Sequence, residues 1–162
     1  MKRLCLFFVL LFALVFSSAS QQAQQLTVQA DSGKQVVLSR ADLEALPHIK
    51  VTASEHSSGP VVFEGVSLKS VLEKAGVTFG EAMKGPRLAN CLLVEAADGY
   101  RVVLALPELD PAFTDKQTAL VFLRDGKPLG EKEGPYRIVI PDDKRMARWV
   151  RQVTALKIVE VK

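Results

Sequence analysis

Five basic side chains are clustered near the end of this 162-residue chain: Arg137, Lys144, Arg145, Arg148 and Arg151. The planar guanidinium of arginine suits bidentate contact with a phosphate or a carboxylate, and the ammonium of lysine acts as a compact point charge. The cluster therefore predicts a site for a phosphate-bearing ligand, another small anion or an acidic partner. The alternative is a solvated surface whose charge is balanced by the two aspartates between these residues.

Candidate proton carriers and metal ligands are few in this sequence. His56 stands beside Glu55 in the polar loop at residues 54–60, and an imidazole can bind a metal or transfer a proton near neutral pH. Cys91 lies inside an apolar run, where a lone cysteine is usually a small buried hydrophobic residue. A reactive thiolate needs a polar, electropositive setting instead. No Ser-His-Asp order, HExxH motif or paired-carboxylate pattern stands out in the sequence.

Residues 1–20 have the three parts of a secretory signal peptide: a basic start, an apolar run at residues 4–16 and a small-residue exit. The apolar run is shorter than the roughly 20 residues that a membrane-spanning helix needs. We therefore expect cleavage after Ser20, no membrane span in the mature protein, and a periplasmic location, with secretion as the alternative. A retained N-terminal anchor is the other interpretation of this run.

The mature chain is predicted to have a Gln-rich disordered leader at residues 21–25 and one domain at residues 26–162. The whole chain has 21 Lys and Arg against 18 Asp and Glu. Without Lys2 and Arg3 the balance is 19 against 18, so no overall positive charge supports binding to nucleic acid. Only one cysteine remains after residue 20, which excludes an internal disulfide.

Short strands and two short helices are predicted to position the candidate residues. Ser39 and Asp42 have the spacing of a capping box, and Ser67 begins a second helix that Gly76 ends. Apolar runs, several of them alternating with polar residues, predict strands at residues 26–30, 36–38, 51–53, 61–63, 88–97, 100–106, 118–124, 138–140 and 156–161. This pattern favours an α+β fold with mixed or antiparallel sheets and a few short helices.

The C-terminal two-thirds of the chain carries short motifs in a fixed order. They are FEGVSL at residues 63–68, AG at 75–76, ADGY at 97–100, ALVF at 119–122, DGKPL at 125–129, GPYRIVIP at 134–141 and RW at 148–149. In their order and spacing these motifs resemble the molybdopterin-binding domain of the sulfite oxidase family. The resemblance implies the α+β fold of that family, a molybdopterin cofactor and oxidoreductase chemistry.

The resemblance also implies site residues, and at two positions this sequence differs from the family pattern. Arg137 and Arg148 stand at family-matching positions and are implied to bind the cofactor. His56 lies in the loop where the family places a cysteine that binds molybdenum, and this loop has no cysteine. The segment at residues 142–147 lacks the glycines that permit close backbone approach to a ligand in the family. No metal ligand or catalytic residue is therefore assigned.

Two hypotheses follow from the sequence. The first is an exported molybdopterin-binding domain with oxidoreductase or redox-associated function and a periplasmic redox partner. The second is a non-catalytic periplasmic binding module that uses the same pocket for a small anion or a partner protein.

Overall fold

The computed structural model describes residues 24–55 and 59–161. The strands are β1 (Leu26–Gln29), β2 (Gln35–Leu38), β3 (His48–Ser54), β4 (Pro60–Ser67), β5 (Cys91–Ala96), β6 (Arg101–Ala105), β7 (Ala119–Arg124), β8 (Lys127–Pro128), β9 (Arg137–Val139) and β10 (Val153–Val159). The α-helices are α1 (Arg40–Glu44) and α2 (Leu68–Lys74). Short 3₁₀ helices lie at Gly80–Ala82, Gly85–Ala89, Leu106–Leu109 and Met146–Arg148. The predicted signal peptide and His56 lie outside the described residues.

The described strands form two five-stranded sheets. The first has the order β2-β1-β10-β5-β6, in which β1 and β10 run parallel and the other neighbours are antiparallel. The second has the order β3-β4-β7-β8, with β9 also paired to β7, and all its pairs are antiparallel. The prediction of an α+β fold with mixed and antiparallel sheets is confirmed.

Burial follows the apolar pattern of the strands. In β1, Leu26 and Val28 are fully buried while the residues between and after them are partly exposed, which is the two-residue period of a sheet with one covered face. In β7, the four residues from Ala119 to Phe122 are all buried. Strand β7 contacts β4, β8 and β9, and it is central to the second sheet as predicted.

Gly65 permits the close approach of the paired strands β4 and β7. A Cβ atom at this position would lie 2.1 Å from the carbonyl oxygen of Leu120 and 2.5 Å from the Cα of Val121. Both atoms belong to the backbone, so neither can rotate away. The glycine in the FEGVSL motif is therefore a packing requirement of the second sheet.

The predicted strand at residues 88–97 is wrong at its start. Gly85, at a φ of 58°, and Pro86 begin a 3₁₀ helix that continues to Ala89, and β5 begins only at Cys91. Proline has no N–H to donate to a strand pair and is favoured in the first turn of a helix. The apolar residues before Cys91 therefore belong to the helical turn.

The capping box of α1 is present as predicted. The hydroxyl of Ser39 accepts a hydrogen bond from the backbone N–H of Asp42 at 3.2 Å, and the backbone N–H of Ser39 donates to the Asp42 carboxylate at 3.0 Å. Helix α1 has only five residues, so its own hydrogen bonds stabilise it little. The cap is therefore a large part of what defines the helix start.

Replacing Ser39 by Ala is expected to lower the free energy of unfolding by about 1 kcal/mol, because the first turn of α1 loses its side-chain acceptor. Urea denaturation followed by circular dichroism measures the change. Ser39→Thr, which keeps a hydroxyl acceptor, is the matched control and should lose less. Equal losses in the two variants would contradict the assignment of the effect to the cap.

Candidate functional site

One open cleft of about 700 Å³ lies where the two sheets meet. The turn between β5 and β6 forms one side, and the segment after β9 forms the other. The ends of β3 and β9 contribute the floor. The described residues that line it are Ser54, Asp98, Tyr100, Arg137, Asp143, Lys144, Arg145, Met146, Ala147, Trp149 and Arg151.

Arg137 lies at the floor of the cleft with only 1% of its surface exposed. Its Nη2 lies 2.5 Å from Oε1 of Glu55, and its Nη1 lies 3.1 Å from Oε1 of Glu133. Arg124 closes the ring, because its Nη1 contacts Glu55 at 2.8 Å and Glu133 at 3.3 Å. We call these four residues the Arg-Glu ring. Its two positive and two negative charges sum to zero, so the cleft floor carries no net charge.

Aromatic side chains hold the buried guanidinium in place. The Cζ of Arg137 lies 5.3 Å from the ring centroid of Phe63 and 5.6 Å from that of Trp149, within cation–π range. The indole N–H of Trp149 donates to the carbonyl of Ile140 at 3.0 Å. The Nε of Arg137 is buried and has no hydrogen-bond partner among the described residues. Because this nitrogen is buried, it is not available to a ligand in the cleft.

The rim of the cleft carries the net positive charge. Lys144, Arg145 and Arg151 are exposed, and none of them forms an ion pair within the described part of the chain. Asp98 is the carboxylate on the opposite side, and its Oδ1 accepts the N–H of Tyr100 at 2.9 Å. We call Lys144, Arg145 and Arg151 the rim cations. They give this surface the charge that an anionic ligand requires.

Tyr100 joins the two sides of the cleft. Its hydroxyl donates to the carbonyl of Ala147 at 2.7 Å, which ties the β5–β6 turn to the segment that carries two rim cations. Half of the Tyr100 side chain remains exposed. Tyr100 therefore helps to set the width of the cleft, and its exposed half is available to a ligand.

Arg148 lies behind the cleft and is not one of its lining residues. Its Nε and Nη2 donate to the two oxygens of Asp143 at 2.9 Å and 2.7 Å, and its Nη1 lies 3.0 Å from Glu108. The hydrogen bonds to Asp143 raise the pKa of Arg148, so the side chain stays charged at any working pH. Asp143 does line the cleft, and its charge is masked by Arg148.

A second phenol, Tyr136, is fully buried beside the floor. Its hydroxyl donates to the carbonyl of Gln24 at 2.6 Å and so fixes the start of the described chain. Burial raises its pKa to about 12, so the hydroxyl remains a proton donor under ordinary conditions. Its role is to hold the fold around the neighbouring Arg137.

Metal ligands are scarce in the part of the chain that the structure describes. Within residues 24–55 and 59–161, no group of three or more His, Cys, Asp or Glu side chains is placed to hold a metal ion. Cys91 is half-buried at the end of β5 farthest from the Asp98 turn, and its Sγ lies 3.9 Å from the carbonyl of Val159. The sequence predicted a small buried hydrophobic residue here, and Cys91 is only partly buried and does not line the cleft.

The structure gives different positions to Arg137 and Arg148, two of the three residues that the sequence selected. Arg137 lines the cleft, Arg148 contacts it only through Asp143, and His56 follows Glu55 outside the described residues. Their roles in binding stay predictions. Sequence reasoning missed Glu133 as a partner of Arg137, because a spacing of four residues predicts a contact only on a helix and these residues lie in a turn and at the start of β9.

The chain is thus an α+β domain with one cleft whose rim carries three exposed cations. The family model for the oxidoreductase molybdopterin-binding domain matches residues 15–162, and the chain belongs to that family. No curated protein matches the sequence.

A solved structure supports the fold. The chain is similar to the sulfane dehydrogenase SoxCD from Paracoccus pantotrophus, with 20% sequence identity and a TM-score of 0.68. The similarity covers 87% of this chain and 39% of the SoxCD chain, so this sequence spans well under half of that protein. In the described residues, no helix has the length and apolar character needed to cross a membrane.

The lining residues fit one part of a molybdopterin and not the other. The exposed rim cations are suitable donors for a phosphate. No thiol lines the cleft among the described residues, and a soft sulfur ligand is what the family's metal site uses. The cleft therefore fits an anionic pterin without a protein thiolate on the metal.

Proposed function

We propose that this protein is an exported binding module that holds a phosphate-bearing pterin in the cleft and does not perform molybdenum–thiolate redox chemistry. The observation that carries the proposal is the lining of the cleft: three rim cations without ion-pair partners in the described residues, and no thiol. Family membership supports a ligand of the molybdopterin class.

The rim cations have the main role in binding. Charge-assisted hydrogen bonds from Lys144, Arg145 and Arg151 to a phosphate are stronger than neutral ones. Because these side chains are exposed, their attraction is screened by salt. The affinity for a phosphorylated ligand should therefore fall as the salt concentration rises.

The other cleft residues suit the ring of the ligand. Trp149, Met146 and the half-exposed Tyr100 give apolar and aromatic contact area, and Asp98 offers an acceptor for ring N–H groups. The neutral floor adds no further charge. The ligand class that matches is a planar heteroaromatic ring with its negative charge at one end.

Oxidoreductase activity is the second candidate, and family membership is the observation that favours it. Under this alternative, molybdenum enters with the pterin and the domain exchanges electrons with a periplasmic partner. The lining of the described cleft supplies no protein ligand to the metal, which is why we rank this function second.

Export to the periplasm is part of the proposal and rests on the basic, apolar and small-residue pattern of residues 1–20. Fractionation of a bacterial host that expresses the full chain tests it. We expect the protein in the periplasmic fraction with Gln21 as its first residue. Recovery in the cytoplasm with residues 1–20 intact would contradict export.

The decisive experiment is cofactor analysis of protein purified from a host that makes molybdopterin. Molybdenum is measured by mass spectrometry and pterin by the fluorescence of an oxidised extract. We expect pterin near one equivalent with molybdenum well below it. One equivalent of both would favour the oxidoreductase, and absence of pterin would contradict the proposed ligand class.

A binding titration separates the phosphate from the ring. Hydroxymethylpterin monophosphate is titrated by calorimetry, with hydroxymethylpterin as the matched ligand without phosphate. The proposal requires that the phosphate ester binds more tightly and that only its affinity depends strongly on salt. Equal affinities would show that the rim cations are not used.

A further inference from the structure

Asp143 is an unfavourable residue for a site that binds anions. It lies in the cleft next to Lys144 and Arg145, where a free carboxylate would repel a phosphate and compete for both cations. In the structure it is not free, because Arg148 binds both of its oxygens, at 2.9 Å and 2.7 Å. The charge that faces the ligand is therefore set by an arginine behind the cleft.

Arg148 is fixed from its other side by Glu108. Oε1 of Glu108 accepts from Nη1 of Arg148 at 3.0 Å and also from the backbone N–H of Ala105 at 3.0 Å. This second bond anchors Glu108 to the end of β6. All three guanidinium nitrogens of Arg148 thus contact a protein carboxylate, and the residue does not line the cleft.

We propose that Arg148 is a positioning residue that acts on the ligand through Asp143, by masking its carboxylate and holding the segment that carries Lys144 and Arg145. The inference rests on the proposed function, because it concerns the same cleft. It changes the expected role of Arg148 from a cofactor contact to a control on the charge of the cleft. It also gives Glu108 a role, since Glu108 orients Arg148.

Iodide quenching of Trp149 tests the inference without any pterin. Trp149 is the only tryptophan in the chain and lines the cleft with 5% of its surface exposed, so iodide, an anion, quenches it weakly and only from the cleft. Arg148→Ala is expected to lower the quenching constant of iodide at least about twofold, because Asp143 is then unmasked. Arg148→Ala combined with Asp143→Asn should restore the quenching constant, because position 143 then carries no carboxylate. Neutral acrylamide reports any change in the exposure of Trp149.

The pterin titration gives the second readout. Arg148→Ala should weaken hydroxymethylpterin monophosphate binding about tenfold, and the double variant should bind within about threefold of Asp143→Asn alone. Arg148→Lys, which keeps the charge and loses the two-point contact, should fall between them. Arg101→Ala, an exposed arginine that does not line the cleft, is the control and should change neither readout.

The outcomes are distinguishable. If the double variant is as weak as Arg148→Ala in both readouts, with acrylamide quenching unchanged, Arg148 contacts the ligand itself and the inference is wrong. A loss that tracks a change in acrylamide quenching would show a general structural role and would also overturn it. If the iodide pattern holds but the wild-type protein binds no pterin phosphate, the inference stands and the proposed function fails.

Discussion

Replacing Glu55 by Met should lower the free energy of unfolding by about 3 kcal/mol, because one carboxylate is then left to balance two guanidinium groups, one of them buried. Glu55 is 7% exposed, and it contacts both Arg137 and Arg124. Only Glu133 would remain to balance two guanidinium groups. Urea denaturation of the purified domain, monitored by Trp149 fluorescence, measures the change.

The double variant Glu55→Met with Arg137→Met separates lost charge balance from lost packing. It leaves Arg124 paired with Glu133 at 3.3 Å, so no buried charge is unpaired. Replacement of both partners of a buried ion pair by apolar residues is often close to neutral. We expect it to recover more than half of the loss. Glu131→Ala, an exposed glutamate outside the ring, should change stability little. A double variant as unstable as the sum of its single variants would refute this explanation.

The second large effect is expected from removing all three rim cations. The triple variant Lys144→Gln, Arg145→Gln and Arg151→Gln should bind hydroxymethylpterin monophosphate about 100-fold more weakly than the wild type. The estimate allows less than a tenfold loss for each group, because exposed charges are screened by solvent and salt. Calorimetric titration at low and high salt measures it, and the salt dependence should nearly disappear.

The matched control removes three positive charges from positions outside the cleft. Arg101, Lys127 and Lys132 are exposed, form no ion pair in the described structure and do not line the cleft. Replacing these three by Gln changes the net charge equally and should reduce affinity only a few-fold. Equal losses of affinity in the two triple variants would mean that net charge alone attracts the ligand. That result would contradict a specific binding site formed by the rim cations.

Local signals in the sequence were sufficient for the two α-helices and most strands, but not for β8 or the 3₁₀ helices. Ser39 with Asp42 predicts a helix start because both groups of the cap lie within one turn. Asp-Gly at residues 125–126 predicts a turn because its residues accept positive φ angles, which are 48° and 75° here. Such signals depend on neighbouring residues only. The 3₁₀ helix at Gly85–Ala89 was missed because its apolar residues continue directly into β5.

The site was less predictable because its contacts connect distant parts of the chain. The sequence places Glu55 beside His56, and nothing local indicates that β3, β7 and β9 bring it to Arg137 and Arg124. The charge of Arg148 is visible in the sequence, but the direction of its side chain depends on the fold of the segment around Asp143. A basic cluster could therefore be predicted, but not the division between the rim cations and an arginine behind them.

The neutral floor of the cleft has a consequence for the empty protein. In many cofactor proteins a buried cation is compensated only by the ligand, so folding waits for ligand binding. Here Glu55 and Glu133 already compensate Arg137 and Arg124. We therefore expect the ligand-free domain to fold cooperatively on its own. Ligand binding should then raise its free energy of unfolding only by the amount set by ligand concentration and Kd. Thermal unfolding of pterin-free protein measures this. A domain with that property can fold first and acquire its ligand as the last step of its assembly.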